Sequence, residues 1–137
     1  MSDDGSVPAE GFVAQKLEAA LTVSDVAASA AWYRDVLGFS VDEEFRREGR
    51  LFAVAVRAGE VRLLLSQDTG AADRVKGEGF SLQLTTTQNV DEIAERVRAA
   101  GGVLASEPAE AWGRRAFRLV DPDGFRFTIS SPRVMGS

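Results

Sequence analysis

Glu18, Arg62 and Arg126 are side chains whose types and positions could do chemistry. A carboxylate inside a cavity has a raised pKa and can serve as a general acid or base. Glu18 is the candidate for that role, against the plainer reading of a polar lining residue near a rim. Arg62 and Arg126 could clamp an anion with paired N–H donors, or pair with Glu18 and nearby carboxylates. Trp112, which precedes Gly113, offers a flat face for a planar or cationic group; the alternative is a residue that closes the mouth of a cavity or packs at a seam between two copies. Phe117, Leu51 and Gln83 complete the candidate ligand contacts, with core packing an equal alternative for Phe117, which alternates with Arg115 and Leu119. The run Asp42-Glu43-Glu44 reads as an exposed edge strand, where charge discourages stray pairing. Asp121-Pro122-Asp123-Gly124 is turn chemistry, not a metal loop.

The residue types that are missing narrow the chemistry further. The chain has 137 residues, no histidine and no cysteine. That excludes disulfides, thiolate metal sites, imidazole ligands and Ser-His or Cys-His nucleophiles. A metal would need oxygen ligands alone. Apolar residues at 45% and charged residues at 27% are those of one folded domain with a real core. A net charge of −5 speaks against a nucleic-acid partner and weakly favours a cationic ligand. No stretch approaches the roughly 20 apolar residues that span a bilayer, so no membrane partner is expected. The acidic start Met1-Ser2-Asp3-Asp4-Gly5 does not read as a signal peptide, and a chain without cysteine suits a reducing cytoplasm.

Two helices and eight strands must position these residues. Ser24-Asp25 can cap a helix carrying Val26, Ala30, Tyr33 and Leu37 on one face, ending at Gly38. Asn89 opens a second, with Asp91 and Glu92 in its first turn and the stripe Val90, Ile93, Ala94, Val97, Ala100, ending at Gly101-Gly102. Strands are expected at 17–23, 39–46, 51–57 and 61–67, then at 80–86, 102–106, 114–120 and 125–131. Gly38 and Gly102 lie 64 residues apart, as do Leu63 and Phe127. The chain is therefore a repeat: an arm to residue 14, one module over 15–67, a small polar linker over 68–79, a second module over 80–132 and a tail over 133–137.

Strand alternation assigns faces. Val61, Leu63 and Leu65 pack under the first helix with Phe52, Val54 and Val56. Glu18, Ala20 and Thr22, Arg62, Leu64 and Ser66, and Arg126, Thr128 and Ser130 take the other face. Leu51 shares that face with Ala53 and Ala55. A curved sheet with such a mixed face makes a lined concavity.

Leu21-Thr22-Val23-Ser24-Asp25, followed by Ala31-Trp32-Tyr33-Arg34-Asp35-Val36-Leu37-Gly38-Phe39, resembles the first-module signature of the vicinal oxygen chelate superfamily. That superfamily spans glyoxalase I, extradiol dioxygenases, fosfomycin-resistance enzymes and bleomycin-resistance proteins. The segment from Ala111 to Gly124 is similar to the superfamily's approach to its last strand. The resemblance implies an α+β fold of two tandem βαβββ modules whose curved mixed sheets form an open cup. It also implies four metal-ligand positions, which fall on Glu18, Leu64, Ser81 and Thr128. Leucine cannot ligate and two of the others are hydroxyls, so the resemblance points to the metal-free, bleomycin-resistance-like branch, with no cofactor and a homodimer whose crevices both chains complete. In that branch a tryptophan matching Trp112 lies near the ligand crevice.

Three functions follow as expectations. The first is a metal-independent binder that sequesters a partly aromatic, planar or cationic small molecule. The second is a metal-free isomerase, lyase or cyclase using Glu18 with Arg62 or Arg126. The third, more remote, is a metal-dependent glyoxalase-like enzyme.

Overall fold

The computed structural model describes residues 11–70, 81–111 and 113–132. The linker and the tail expected from the sequence therefore lie mostly outside the described residues. Asp25 caps the first helix as expected: its Oδ1 accepts from the Ala28 N–H at 3.0 Å. Asn89 does the same for the second through the Glu92 N–H, at 3.0 Å. Between and after these caps the chain runs β1 (Ala19–Val23), α1 (Val26–Asp35), β2 (Ser40–Arg47), β3 (Arg50–Ala58), β4 (Val61–Gln67), β5 (Ser81–Thr85), α2 (Val90–Ala99), β6 (Leu104–Ala111), β7 (Arg114–Val120) and β8 (Arg126–Pro132).

The two halves repeat one topology. The sheets are ordered β1-β4-β3-β2 and β5-β8-β7-β6. In each, the first strand runs parallel to the last and the other pairs are antiparallel. The expected α+β fold of two βαβββ modules is what the chain adopts. The largest differences from the expected bounds are in β1 and β6. Strand β1 begins at Ala19 rather than Leu17, because its pairing with β4 starts at Ala19 and Leu63; Leu17 is left 91% exposed. Strand β6 extends to Ala111, past the expected end at Ser106. Register shifts after Leu104 and after Ser106 carry Pro108 along this edge strand, where a missing N–H is tolerated. The acidic run lies on β2, an exposed edge strand, as its composition suggested.

Both sheets turn apolar residues of one parity toward the helices. Leu21, Val23, Val54, Val56, Leu63 and Leu65 from the first module join Phe117, Leu119, Phe127 and Ile129 from the second in one buried cluster. Tyr33 of α1 stands at the join. It is fully buried, and its ring meets Phe39 of its own module and Phe127 of the other edge-on, at centroid distances of 5.6 and 5.8 Å. Trp32 is half-buried and meets the Tyr33 ring edge-on. A second contact between modules forms near the helix ends, where a Cβ added at Gly102 would lie 2.7 Å from Cγ1 of Val36 and 2.6 Å from Cγ1 of Val97. Only glycine permits that approach.

The polar key to this join is Asp121. It is 4% exposed, and it accepts the Tyr33 hydroxyl at 2.6 Å and the N–H groups of Asp123 and Phe125 at 2.9 Å each. The sequence marked Asp121 as turn chemistry, which the two backbone bonds bear out. Its hydrogen bond to α1 across 88 positions of sequence was not visible there. Ser24 adds a parallel tie, its N–H and hydroxyl both donating to Oδ1 of Asp123 at 2.9 and 2.6 Å.

Tyr33→Phe removes the hydroxyl and leaves one buried carboxylate oxygen without its donor. It should lower unfolding free energy by about 1–3 kcal/mol in urea denaturation; an unchanged midpoint would show that the bond adds nothing. Burial lifts the Asp121 carboxyl above its ordinary value of 3.8, against the pull of its three hydrogen bonds. A raised folded value favours the protonated form, so this group's contribution is fullest below the ordinary value and declines as pH rises through the raised one. Asp121→Asn removes that decline. The stability difference between variant and wild type should shift in the variant's favour as pH rises from about 3.8, measured by denaturation across pH.

Candidate functional site

The parity that leaves the core makes the site. On the second sheet, Val120 pairs with Arg126 and Ser81 with Arg126; Arg118 pairs with Thr128 and Gln83 with Thr128; Ala116 pairs with Ser130. These residues share the face opposite the helices, and they border a hollow of about 940 Å³. That volume lies within the range of small-molecule sites, roughly 300–1,000 Å³. Every described residue bordering it belongs to the second module.

Four residues singled out from the sequence meet here: Arg126, Gln83, Ser81 and Thr128. Phe117 does not belong with them. It borders the hollow, yet it is fully buried and part of the core cluster. Its parity is that of Leu119, so its ring serves packing and its place as a ligand contact is withdrawn. The same alternation carries Arg114, Ala116 and Arg118 to the hollow, and these the sequence reading missed. The signal was available in β7: once Phe117 and Leu119 are core, the residues between them must face the other way. Trp112 lies outside the described residues.

The remaining candidates sit on the first sheet. Arg62 is the centre of an ion cluster. Its Nε donates to Oδ2 of Asp42 at 2.8 Å, one terminal nitrogen to Oε2 of Glu18 at 3.4 Å and the other to Oε1 of Glu43 at 3.3 Å. Lys16 pairs with the same Glu18 oxygen at 2.7 Å. Of the two readings of Arg62, the pairing with Glu18 and neighbouring carboxylates is the one observed. Part of the acidic run thus anchors an inward arginine besides charging an edge. Leu51 pairs with Arg46 of β2 and packs half-buried against the core cluster.

This cluster changes the reading of Glu18. Its carboxyl is held below the ordinary value of 4.5, chiefly by the hydrogen bond from Lys16 and then by the charge of Arg62, with burial opposing. The expected upward shift of a general acid or base is absent, because two cations reach the group. Asp42 is lowered likewise by hydrogen bonds from Arg62 and Arg57.

The four positions carried over as metal ligands do not form a donor set. Glu18 is engaged by Lys16 and Arg62. Leu64 pairs with Ala20. Ser81 lies opposite Arg126, a cation, and the residue opposite Thr128 is Gln83, not Ser81. Cross-strand neighbours at these levels therefore bring together Ala20 with Leu64 and Gln83 with Thr128, an amide and a hydroxyl at best. Among the described residues no three acidic side chains stand close enough to hold a metal ion.

The sequence profile of the Glyoxalase/Bleomycin resistance protein/Dioxygenase superfamily matches residues 17–129. The chain belongs to this superfamily. Solved structures agree on the fold. A superfamily member from Sphaerobacter thermophilus DSM 20745 is 24% identical, covers 87% of this chain and 98% of its own, and superposes with a TM-score of 0.71. TioX from Micromonospora sp. ML1 is 20% identical over 87% of this chain and 99% of its own, with a TM-score of 0.69. A virulence protein from Salmonella typhimurium is 23% identical over 90% and 100%, with a TM-score of 0.67. No curated protein matches the sequence. No helix among the described residues is long and apolar enough to cross a membrane.

If Glu18 is a structural anion, NMR titration of its side-chain carboxyl should give a midpoint below 4.5, and Lys16→Gln with Arg62→Gln should raise it. A wild-type midpoint above that value would restore Glu18 as an acid–base candidate.

Proposed function

We propose that the protein is a metal-independent small-molecule binder whose ligand occupies the hollow of the second module. The single observation that carries this reading is the hollow itself. It has the volume of a ligand site and is walled by hydroxyl, amide, guanidinium and apolar side chains, with Glu107 the one carboxylate among the described lining residues. Such a wall can hold and orient a guest. The alternative reading, a metal-free isomerase, lyase or cyclase built on Glu18, loses its motive because Glu18 is held ionised and stands on the other sheet's module.

The resemblance to bleomycin-resistance proteins supports a homodimer. Among the described residues the hollow is bounded by one module, and a second copy of the chain would supply the facing wall. Trp112, adjacent in sequence to β7, is the stacking residue in this proposal. The chain carries no cysteine, and a cytoplasmic address belongs to the same reading.

A thermal-shift panel of aromatic metabolites and antibiotics tests it. At least one class of compound should raise the melting temperature equally in EDTA and in nickel, zinc or manganese. Trp112→Ala should weaken the ligand found about tenfold, the loss of one good stacking contact of roughly 1.5 kcal/mol. Stabilisation that appears only with a divalent ion would overturn the metal-independent reading.

A further inference from the structure

The charge inside the hollow has the opposite sign to the chain. The protein carries −5 overall, which by itself favours a cationic guest. Yet Arg114, Arg118 and Arg126 all border the hollow, and among the described residues the one acidic side chain that does, Glu107, is ion-paired to Arg98 of α2. Elsewhere in the fold several arginines meet carboxylates, Arg34 with Asp35, Arg57 and Arg62 with Asp42 and Arg115 with Asp91, while Arg47 stacks on the Phe52 ring. Arg118 and Arg126 make no side-chain hydrogen bond or ion pair with any described residue. The backbone N–H of Arg118 donates to Ser106 Oγ at 3.1 Å, which fixes the strand and leaves the guanidinium free.

Register places the two guanidiniums close together. Arg118 stands opposite Thr128, and Arg126 is two residues from Thr128 on the same strand and the same face. They are diagonal neighbours, within reach of each other for side chains this long. Two like charges at such positions repel unless an anion lies between them. Around them stand Ser81, Gln83 and Thr128, each able to donate a hydrogen bond. A guanidinium has donors only, and its fork matches the spacing of carboxylate, phosphate or sulfonate oxygens. The wall therefore asks for a guest that brings acceptors and negative charge.

We infer that the hollow takes a small organic oxyanion, held between Arg118 and Arg126 with Ser81, Gln83 and Thr128 as further donors. This deepens the binding reading above and rests on it. It replaces the cationic guest that the net charge favours.

Two probes of matched ring system separate the two claims: 1-anilinonaphthalene-8-sulfonate, an anion, and N-phenyl-1-naphthylamine, which is neutral. In fluorescence titration the anion should bind the full-length protein at least tenfold more tightly than the neutral probe, and more weakly as sodium chloride is added. Arg118→Gln and Arg126→Gln should each weaken the anion about tenfold, the loss of one charge-assisted contact, and change the neutral probe less than twofold. Arg50→Gln, an exposed arginine on the first module, should change neither; circular dichroism checks that each variant folds. If the double variant binds the anion as the wild type does, or if the neutral probe binds as well as the anion, the oxyanion inference is overturned and the hollow survives as a site for uncharged guests. If the arginine variants alter the sedimentation of the protein and not its probe affinity, the arginines serve a second copy and the inference again fails. If neither probe saturates, the binding reading itself fails.

Discussion

Both modules depend on one constraint: each strand must turn residues of one parity toward a core shared by the two sheets. That core is joined through Tyr33, whose ring lies against Phe127 and whose hydroxyl reaches Asp121. Once Leu63, Leu65, Phe117, Leu119, Phe127 and Ile129 are committed to it, the alternate residues have no freedom in where they point. Arg62, Leu64 and Ser66 must share one outer face, and Arg118, Arg126 and Thr128 the other. The functional surface is thus the complement of the packing surface, and its chemistry is set by whatever polar residues the core leaves over. The apolar side does the stabilising, since burial of side chains such as Phe and Leu contributes roughly 1.5–3 kcal/mol each. The outer face is free to carry charge.

The two outer faces have gone different ways. On the first sheet, Glu18, Asp42 and Glu43 surround Arg62 and neutralise it. Such partly exposed ion pairs contribute little to stability, and they leave no group tuned for proton transfer. On the outer face of the second sheet Arg118 and Arg126 lack acidic partners among the described residues, and Ser81, Gln83 and Thr128 stand beside them. One repeat unit has therefore produced one self-satisfied face and one unsatisfied face.

Much of this was legible in the sequence. Periodicity and caps placed both helices, with Asp25 and Asn89 observed in the roles their side chains suggested. The 64-residue repeat gave the two modules, and Val61–Gln67 and Arg114–Val120 have the strand bounds expected of them. The site was half legible. Thr128 and Arg126 were reached by parity and Ser81 through the carried-over ligand positions, whereas Phe117 was weighed equally between cup and core although its parity with Leu119 places it in the core. Arg118 was overlooked for the same reason. The metal positions were read one strand at a time, so the sequence could not show that Thr128 faces Gln83. Register is a property of pairs of strands, set by the turn and by hydrogen bonding. The Tyr33–Asp121 bond and the Lys16–Glu18–Arg62 contacts were out of reach because they join residues by three-dimensional approach alone.

The two outer faces differ in where a guest would bind. Amide chemical shifts of the ¹⁵N-labelled protein, followed during titration with an aromatic sulfonate in EDTA, locate it directly. Shifts concentrated at Ser81, Gln83, Arg118, Arg126 and Thr128, with Glu18, Arg62 and Leu64 unmoved, are the predicted result. Shifts centred on the Glu18 and Leu64 face, or shifts that appear only when a divalent metal replaces EDTA, would contradict it.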